Sequence, residues 1–233
     1  MRWLAVPLAL CVPAVAQAQA PLCTAPARIE RPRPDLASAD QPRRLLPIGS
    51  YTLALTWSPQ FCRGRQGDDG FQCGGSTRFG FTLHGLWPDG EGTQWPQYCR
   101  PTALLPEPTV RAHLCATPSP QLMQHEWAKH GTCMAGYRPA SYFAQSTGLF
   151  GRLRFPDMDA LSRQPLKAGG LARELARLNP GLPASAVRVT ATRDGWLDEL
   201  WLCLDRSFRY IRCRPGSGGV TPGSDIQVWR GRR

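Results

Sequence analysis

Apolar and polar positions alternate from Ser50 to Trp57, with Tyr51, Leu53, Leu55 and Trp57 on one side of the repeat. A two-residue period is that of a strand with one buried face. Arg78 to Leu86 predicts a second strand, and Pro88-Asp89-Gly90 after it predicts a turn. The segment between them, Arg63 to Gly75, is rich in Gly and Asp and reads as a loop. Gly92 to Pro118 is irregular, apart from a short helix around Thr109–Leu114. Pro118-Ser119-Pro120 then signals a helix start, and Gly131 ends the helix it opens. Pro139 begins another helix, over Ala140–Leu153, with Tyr142, Phe143, Leu149 and Phe150 at helical spacing. Leu166–Leu178 is a further helix, closed by Asn179-Pro180-Gly181. Val187–Thr192, Trp196–Leu204 and Ser207–Cys213 predict strands, with turns at Arg193-Asp194-Gly195 and Asp205-Arg206. Pro215–Ser224 is a Gly/Ser/Pro loop, and Ile226–Trp229 predicts a last strand. Strands and helices do not alternate regularly. The expected class is α+β: a single domain with a mainly antiparallel central sheet and flanking helices.

The two ends of the chain read differently. One Arg, an apolar run from Trp3 to Val15 and then Ala16-Gln17-Ala18-Gln19-Ala20 form a secretory signal over residues 1–20. The run is shorter than the roughly 20 apolar residues of a membrane span. Leu10 is too large for the residue before a lipoprotein Cys11, and no other stretch could span a bilayer. Residues 21–47 are rich in Pro and Arg and read as an extended arm, tied down if Cys23 is bridged. Residues 48–233 form the main domain, long enough to bury a full core.

Removing Cys11 from nine cysteines leaves an even number in an exported chain, which favours a framework of disulfides. Connectivity does not follow from spacing. Two local closures, Cys62–Cys73 and Cys203–Cys213, are expected because each brackets a predicted hairpin. The formal charge is +11, almost all of it Arg; Lys129 and Lys167 are the two lysines. An excess of positive charge favours polyanionic partners such as nucleic acid, anionic lipid or acidic glycans.

Candidate chemistry concentrates in His125-Glu126-Trp127-Ala128-Lys129-His130-Gly131-Thr132-Cys133. On a helix His125 and Lys129 stack one turn apart, as do Glu126 and His130, and the two pairs share one side. A solvated face is the inert alternative. A zinc site needs two histidines at i and i+4. Here they are i and i+5, about 140° apart around the axis. A second segment, Phe79 to Asp89, places His84 at the end of an apolar strand before Gly85. Cleavage of RNA by its own 2′-hydroxyl needs one group to take that proton and another, across the phosphorus, to protonate the departing 5′-oxygen. A helix histidine facing a strand histidine meets that need. Lys129 and His125 then suit the non-bridging oxygens, and no metal or cofactor is called for.

Phe81-Thr82-Leu83-His84-Gly85-Leu86-Trp87-Pro88 and the His125–Cys133 segment resemble the two active-site segments of the ribonuclease T2 family. Tyr51–Trp57 followed by Cys62 is similar to that family's first core strand, and the likeness covers about residues 48–213. The resemblance implies His84 as general acid, His130 as general base, His125 on phosphate, and Glu126 and Lys129 stabilising the transition state. It implies single-stranded RNA cut to 2′,3′-cyclic phosphates and then 3′-phosphates, with little base preference. Trp87 and Asp89 match base-contacting positions, and Trp95 falls near one where some relatives use Tyr. The family's bridge from the first motif's loop to the catalytic helix corresponds to Cys99–Cys133, which leaves Cys23 with Cys115. His113 belongs to neither motif and reads as surface or structural. The expected protein is an exported monomer, periplasmic or extracellular, with an acid-shifted optimum and no membrane partner. A basic RNA- or glycan-binding protein without turnover and a secreted zinc hydrolase are the competing readings.

Overall fold

The alternation of Ser50–Trp57 becomes β1, with Leu53 and Leu55 fully buried. The computed structural model describes residues 23–65, 70–74 and 77–231, so the signal segment 1–20 lies outside the described residues. After β1 come the single turns α1 (Ser58–Phe61) and α2 (Gly70–Cys73), then β2 (Phe81–Asp89), α3 (Glu107–His113) and α4 (Pro120–Lys129). A 3₁₀ turn at Gly131–Cys133 leads to α5 (Pro139–Gly151), α6 (Met158–Leu161), β3 (Leu166–Lys167) and α7 (Ala168–Leu178). β4 (Val187–Ala191), β5 (Leu197–Leu204) and β6 (Asp225–Ile226) complete the order. The main sheet runs β2-β1-β5-β4, antiparallel throughout, and β3 pairs with β6. The fold is α+β in a single domain with four disulfides.

Several expected boundaries move, each for a local reason. β2 begins at Phe81 and carries on through Pro88 to Asp89, so the chain bends only beyond Gly90, over residues 91–93. A proline is tolerated there because β2 is an edge strand of its sheet. The Arg63–Gly75 loop contains α2. Cys62 and Cys73 therefore join two helical turns, not a hairpin. Leu166 and Lys167 are strand because they pair with Ile226 and Asp225, and the Lys167 ammonium lies 2.7 Å from the Asp225 carboxylate. Ser207–Cys213 forms one bridge, Leu204 to Tyr210, and no ladder. Asp205 takes the backbone N–H groups of Ser207 and Arg209 into a tight turn, and Cys213 is drawn off to the Ser185 carbonyl. Past Ile226, Gln227 bridges to Trp196, and Trp57 donates its indole N–H to the Trp229 carbonyl.

The arm is held against the domain. Cys23 is joined to Cys115, and Arg111 donates to the carbonyls of Pro26 and Ala27. The Arg33 N–H donates to Gln121, and Arg44 pairs with Gln97. No described helix is long and apolar enough to cross a membrane.

The core lies where α4 and α5 meet β1 and β2, with Met123, Tyr142 and Phe143 against Leu83 and Leu86. A second part forms where Leu171 and Leu175 of α7 pack beside β4. The open edge of β2 is capped. The Leu83 N–H donates to Ala116, the Leu83 carbonyl accepts from Thr117, and the Tyr142 hydroxyl serves both N–H and C=O of Leu86. Edge groups buried without partners would be costly. Tyr142→Phe keeps the ring and orphans both Leu86 groups. It should lower unfolding free energy by about 1–3 kcal/mol with unchanged secondary structure, measured by chemical denaturation.

Candidate active site

His84 owes its placement to an irregularity. Across the β1–β2 ladder Ala54 faces Gly85 and Leu55 faces Leu83, so His84 is the extra residue of a bulge. A bulge re-aims a side chain out of the alternation. The ring's Nδ1 lies 2.6 Å from Glu199 Oε1 on β5. That carboxylate also accepts from the Thr56 hydroxyl at 2.9 Å and the Trp201 indole at 2.7 Å. Burial pushes His84 down, but the Glu199 hydrogen bond and the charges of Glu126 and Glu199 push it further up, net above 6.5. Burial pushes Glu199 up, and its bond to His84 with those to Trp201 and Thr56 brings it net below the carboxylate range.

α4 supplies the opposite wall. Ser119 caps its first turn by accepting from Leu122, with Pro120 in the first helical position. The helix approaches β2 at Gly85: a Cβ there would lie 1.7 Å from Glu126 Oε2. Glu126 is 1% exposed and accepts the Trp87 indole N–H at 2.8 Å. Its Oε1 has no hydrogen-bond partner among the described residues and stands 3.6 Å from His84 Nε2. Burial holds this carboxyl above its ordinary range, against the charges of His84 and His125 and the Trp87 bond.

His130 caps the helix, its N–H on the Glu126 carbonyl. Its ring stacks on Trp87, centroids 5.7 Å apart, while the His84 ring meets the same indole edge-on at 5.0 Å. His130 is 5% exposed, with Nδ1 unpartnered among the described residues. Burial, then the charges of Lys129, His125 and His84, push it well below 6.5. His125 stands 6.4 Å from His130, with Nδ1 2.9 Å from Asp35 of the arm. Burial lowers the Lys129 ammonium, against the pull of Glu126 and Asp35. Beside His84 a groove of about 920 Å³ runs between Thr56, Thr82 and Phe71 and the arm residues Arg28–Arg33.

Two motifs far apart in sequence thus bring two imidazoles onto one indole. Residues 48–213 match the model of the ribonuclease T2 family. The chain belongs to the ribonuclease T2 family.

Among relatives of this T2 protein, a "Probable ribonuclease" of Haemophilus influenzae is 32% identical over 181 residues, 72% of this chain and 62% of its own length. A "Ribonuclease" of Aeromonas hydrophila is 32% identical over 184 residues, covering 76% of this chain and 77% of that protein. The solved structure of RNase NT in complex with 5′-AMP matches 78% of this chain and 98% of its own with a TM-score of 0.62, at 20% identity. That likeness is one of fold.

The structure brings His84, Trp87, His125, Glu126, Lys129 and His130 together. Glu126 and His130 meet Trp87 of β2, and His125 meets Asp35 of the arm. Asp89 and Trp95 stand elsewhere. Asp89 accepts from Thr52 at 2.8 Å, and Trp95, 42% exposed, lies under the Arg44 guanidinium. His113 pairs with Thr147 and stacks on Phe143, and burial lowers its pKa; it is structural. Glu199 and Asp35 escaped the sequence reading. An acid within the apolar run Leu197–Leu204 was a usable signal for Glu199. Asp35, among prolines and arginines, gave none. Gly85→Ala forces Glu126 off the strand. It should cost roughly 1–3 kcal/mol of stability by overpacking, read as a lowered melting transition.

Proposed function

We propose that this T2-family protein is an exported, metal-independent endoribonuclease that cleaves single-stranded RNA by transesterification. The observation that carries the reading is the pair of imidazoles, one from a β-bulge and one from a helix end, packed on one indole and biased toward opposite protonation states. A base must be neutral and an acid charged at the same pH. His130, kept neutral by burial, takes the 2′-hydroxyl proton as that oxygen attacks phosphorus. His84, its Nδ1–H held by Glu199, delivers the Nε2 proton to the leaving 5′-oxygen. The bond to the 5′-oxygen breaks as the 2′ bond forms, leaving a 2′,3′-cyclic phosphate. Slower attack by water then gives the 3′-phosphate.

Lys129 and His125 offset charge on the non-bridging oxygens, and Glu126 turns its unpartnered Oε1 toward the same region. Trp95 offers exposed aromatic surface for a base. Trp87 and Asp89 remain candidates for base contact, at the surface that their present partners leave. Stacking accepts any base, which suits low base preference. Four disulfides fit a compartment outside the cytoplasm, periplasmic or extracellular.

Product analysis on dinucleoside phosphates tests the chemistry. Cleavage should persist in EDTA and yield a cyclic phosphate first, and loss of activity in chelator would sink the mechanism. His130→Phe should lower kcat by about 10²–10⁴-fold with the fold intact; full activity in that variant excludes His130 as base.

The pH profile of kcat/KM should be a bell. His130 lies below 6.5, so the acid limb falls below that value and activity extends to acid pH. His84 lies above 6.5, so the alkaline limb falls above it. Glu199→Gln removes a group that raises His84 and should draw the alkaline limb toward acid, with the acid limb unmoved.

A further inference from the structure

Asp35 belongs to the N-terminal arm, outside the residues 48–213 that match the family. Both of its carboxylate oxygens are engaged. Oδ2 lies 2.9 Å from His125 Nδ1, and Oδ1 accepts the Tyr98 hydroxyl at 2.7 Å. The Asp35 and His125 side chains are only 18% and 25% exposed. Burial, then the bond to Asp35, push the Tyr98 phenol up, so that hydroxyl stays a donor.

Tyr98 itself is held in an unusual backbone state, φ 50°, which a non-glycine residue rarely adopts. Its N–H donates to the Lys129 carbonyl at 2.8 Å, and Cys99 beside it is bridged to Cys133. Tyr98 is therefore fixed to the same helix end that carries His125 and Lys129. The arm is fixed on both sides of Asp35. Arg33 pairs with Gln121, Arg43 donates to the Cys99 carbonyl, and Arg44 pairs with Gln97. Backbone strain of this kind persists where surrounding contacts over-determine it, and it clusters at functional sites.

We propose that Asp35 is a positioning residue of the active site. It accepts the hydrogen bond of His125 Nδ1–H and fixes that ring, so that the protonated imidazole presents Nε2–H to the substrate phosphate. The arm thereby completes the phosphate-binding half of the site. The inference rests on the assignment of His125 to phosphate. A hydrogen-bond partner on one imidazole nitrogen sets what the other can do, as Glu199 does for His84.

The competing reading of a carboxylate beside His125 and Lys129 is an anion that occupies the phosphate's place. The two differ in sign. Deleting the charge of an occupant tightens phosphate binding, whereas deleting a positioning group weakens it.

The test is competitive inhibition by inorganic phosphate, with kcat and KM on a dinucleoside phosphate. It uses the full chain and the Asp35→Asn, His125→Ala, double and Tyr98→Phe variants, each checked for folding by circular dichroism. Asp35→Asn should weaken phosphate inhibition and raise KM, each about tenfold, with kcat changing less. It should add nothing in the His125→Ala background. Tyr98→Phe should move both values the same way by less. Unchanged or tighter phosphate inhibition in Asp35→Asn, or additive losses in the double variant, overturns the proposal and leaves the ribonuclease reading standing. If His125→Ala itself leaves phosphate inhibition and KM unaltered, His125's phosphate role falls, and this proposal with it.

Discussion

The close approach of α4 to β2 at Gly85 is the constraint on which the site depends. A position without a side chain lets the Glu126 carboxylate reach the strand backbone. Trp87, two residues on and on the same face of β2, supplies the N–H that makes this tolerable for a buried acid. Once Glu126 is fixed there, the next turn of the helix sets His130 over the Trp87 ring. The bulge at His84, immediately before Gly85, aims the other imidazole at the same place. Any side chain at 85 would drive the Glu126 carboxylate from this place.

Burial then makes like groups unlike. His84 and His130 share one chemistry, yet His84 is met by carboxylates from β5 and α4, whereas His130 is surrounded by cations and has no acid on its Nδ1. Glu199 and Glu126 diverge the same way: one has a full set of donors, the other an oxygen left bare. A buried polar atom without a partner costs about 1–3 kcal/mol. Among the described residues four side-chain atoms are in that state, and two of them, Glu126 Oε1 and His130 Nδ1, are in the site. On the proposed ribonuclease reading, the fold tolerates this cost where chemistry needs groups that are not already satisfied.

The arm shows how a segment without regular structure acquires a fixed path. Its prolines offer no ladder of hydrogen bonds, so it is tied by the Arg111 guanidinium to its carbonyls, by Gln121, and by the Cys23–Cys115 bridge. The result is one carboxylate carried to the outer face of α4.

The sequence by itself determined the local elements and the residue types of the candidate site. Alternation marked β1, the Ser119 cap and Pro120 marked the start of α4, and helical spacing put Glu126 and His130 on one side. Those signals are short-range, since they depend on period, caps and turn residues. The tertiary structure decided whatever depends on pairing. Only the β1–β2 register shows that His84 is an extra residue, and only the β1–β5 register brings Glu199 beside it through Thr56. Only strand pairing turned Leu166 and Lys167 away from helix, and only the arm's path joined Asp35 to His125. Protonation preference was equally out of reach, because it is set by how much water and which charges surround an imidazole, and both are properties of the packed chain.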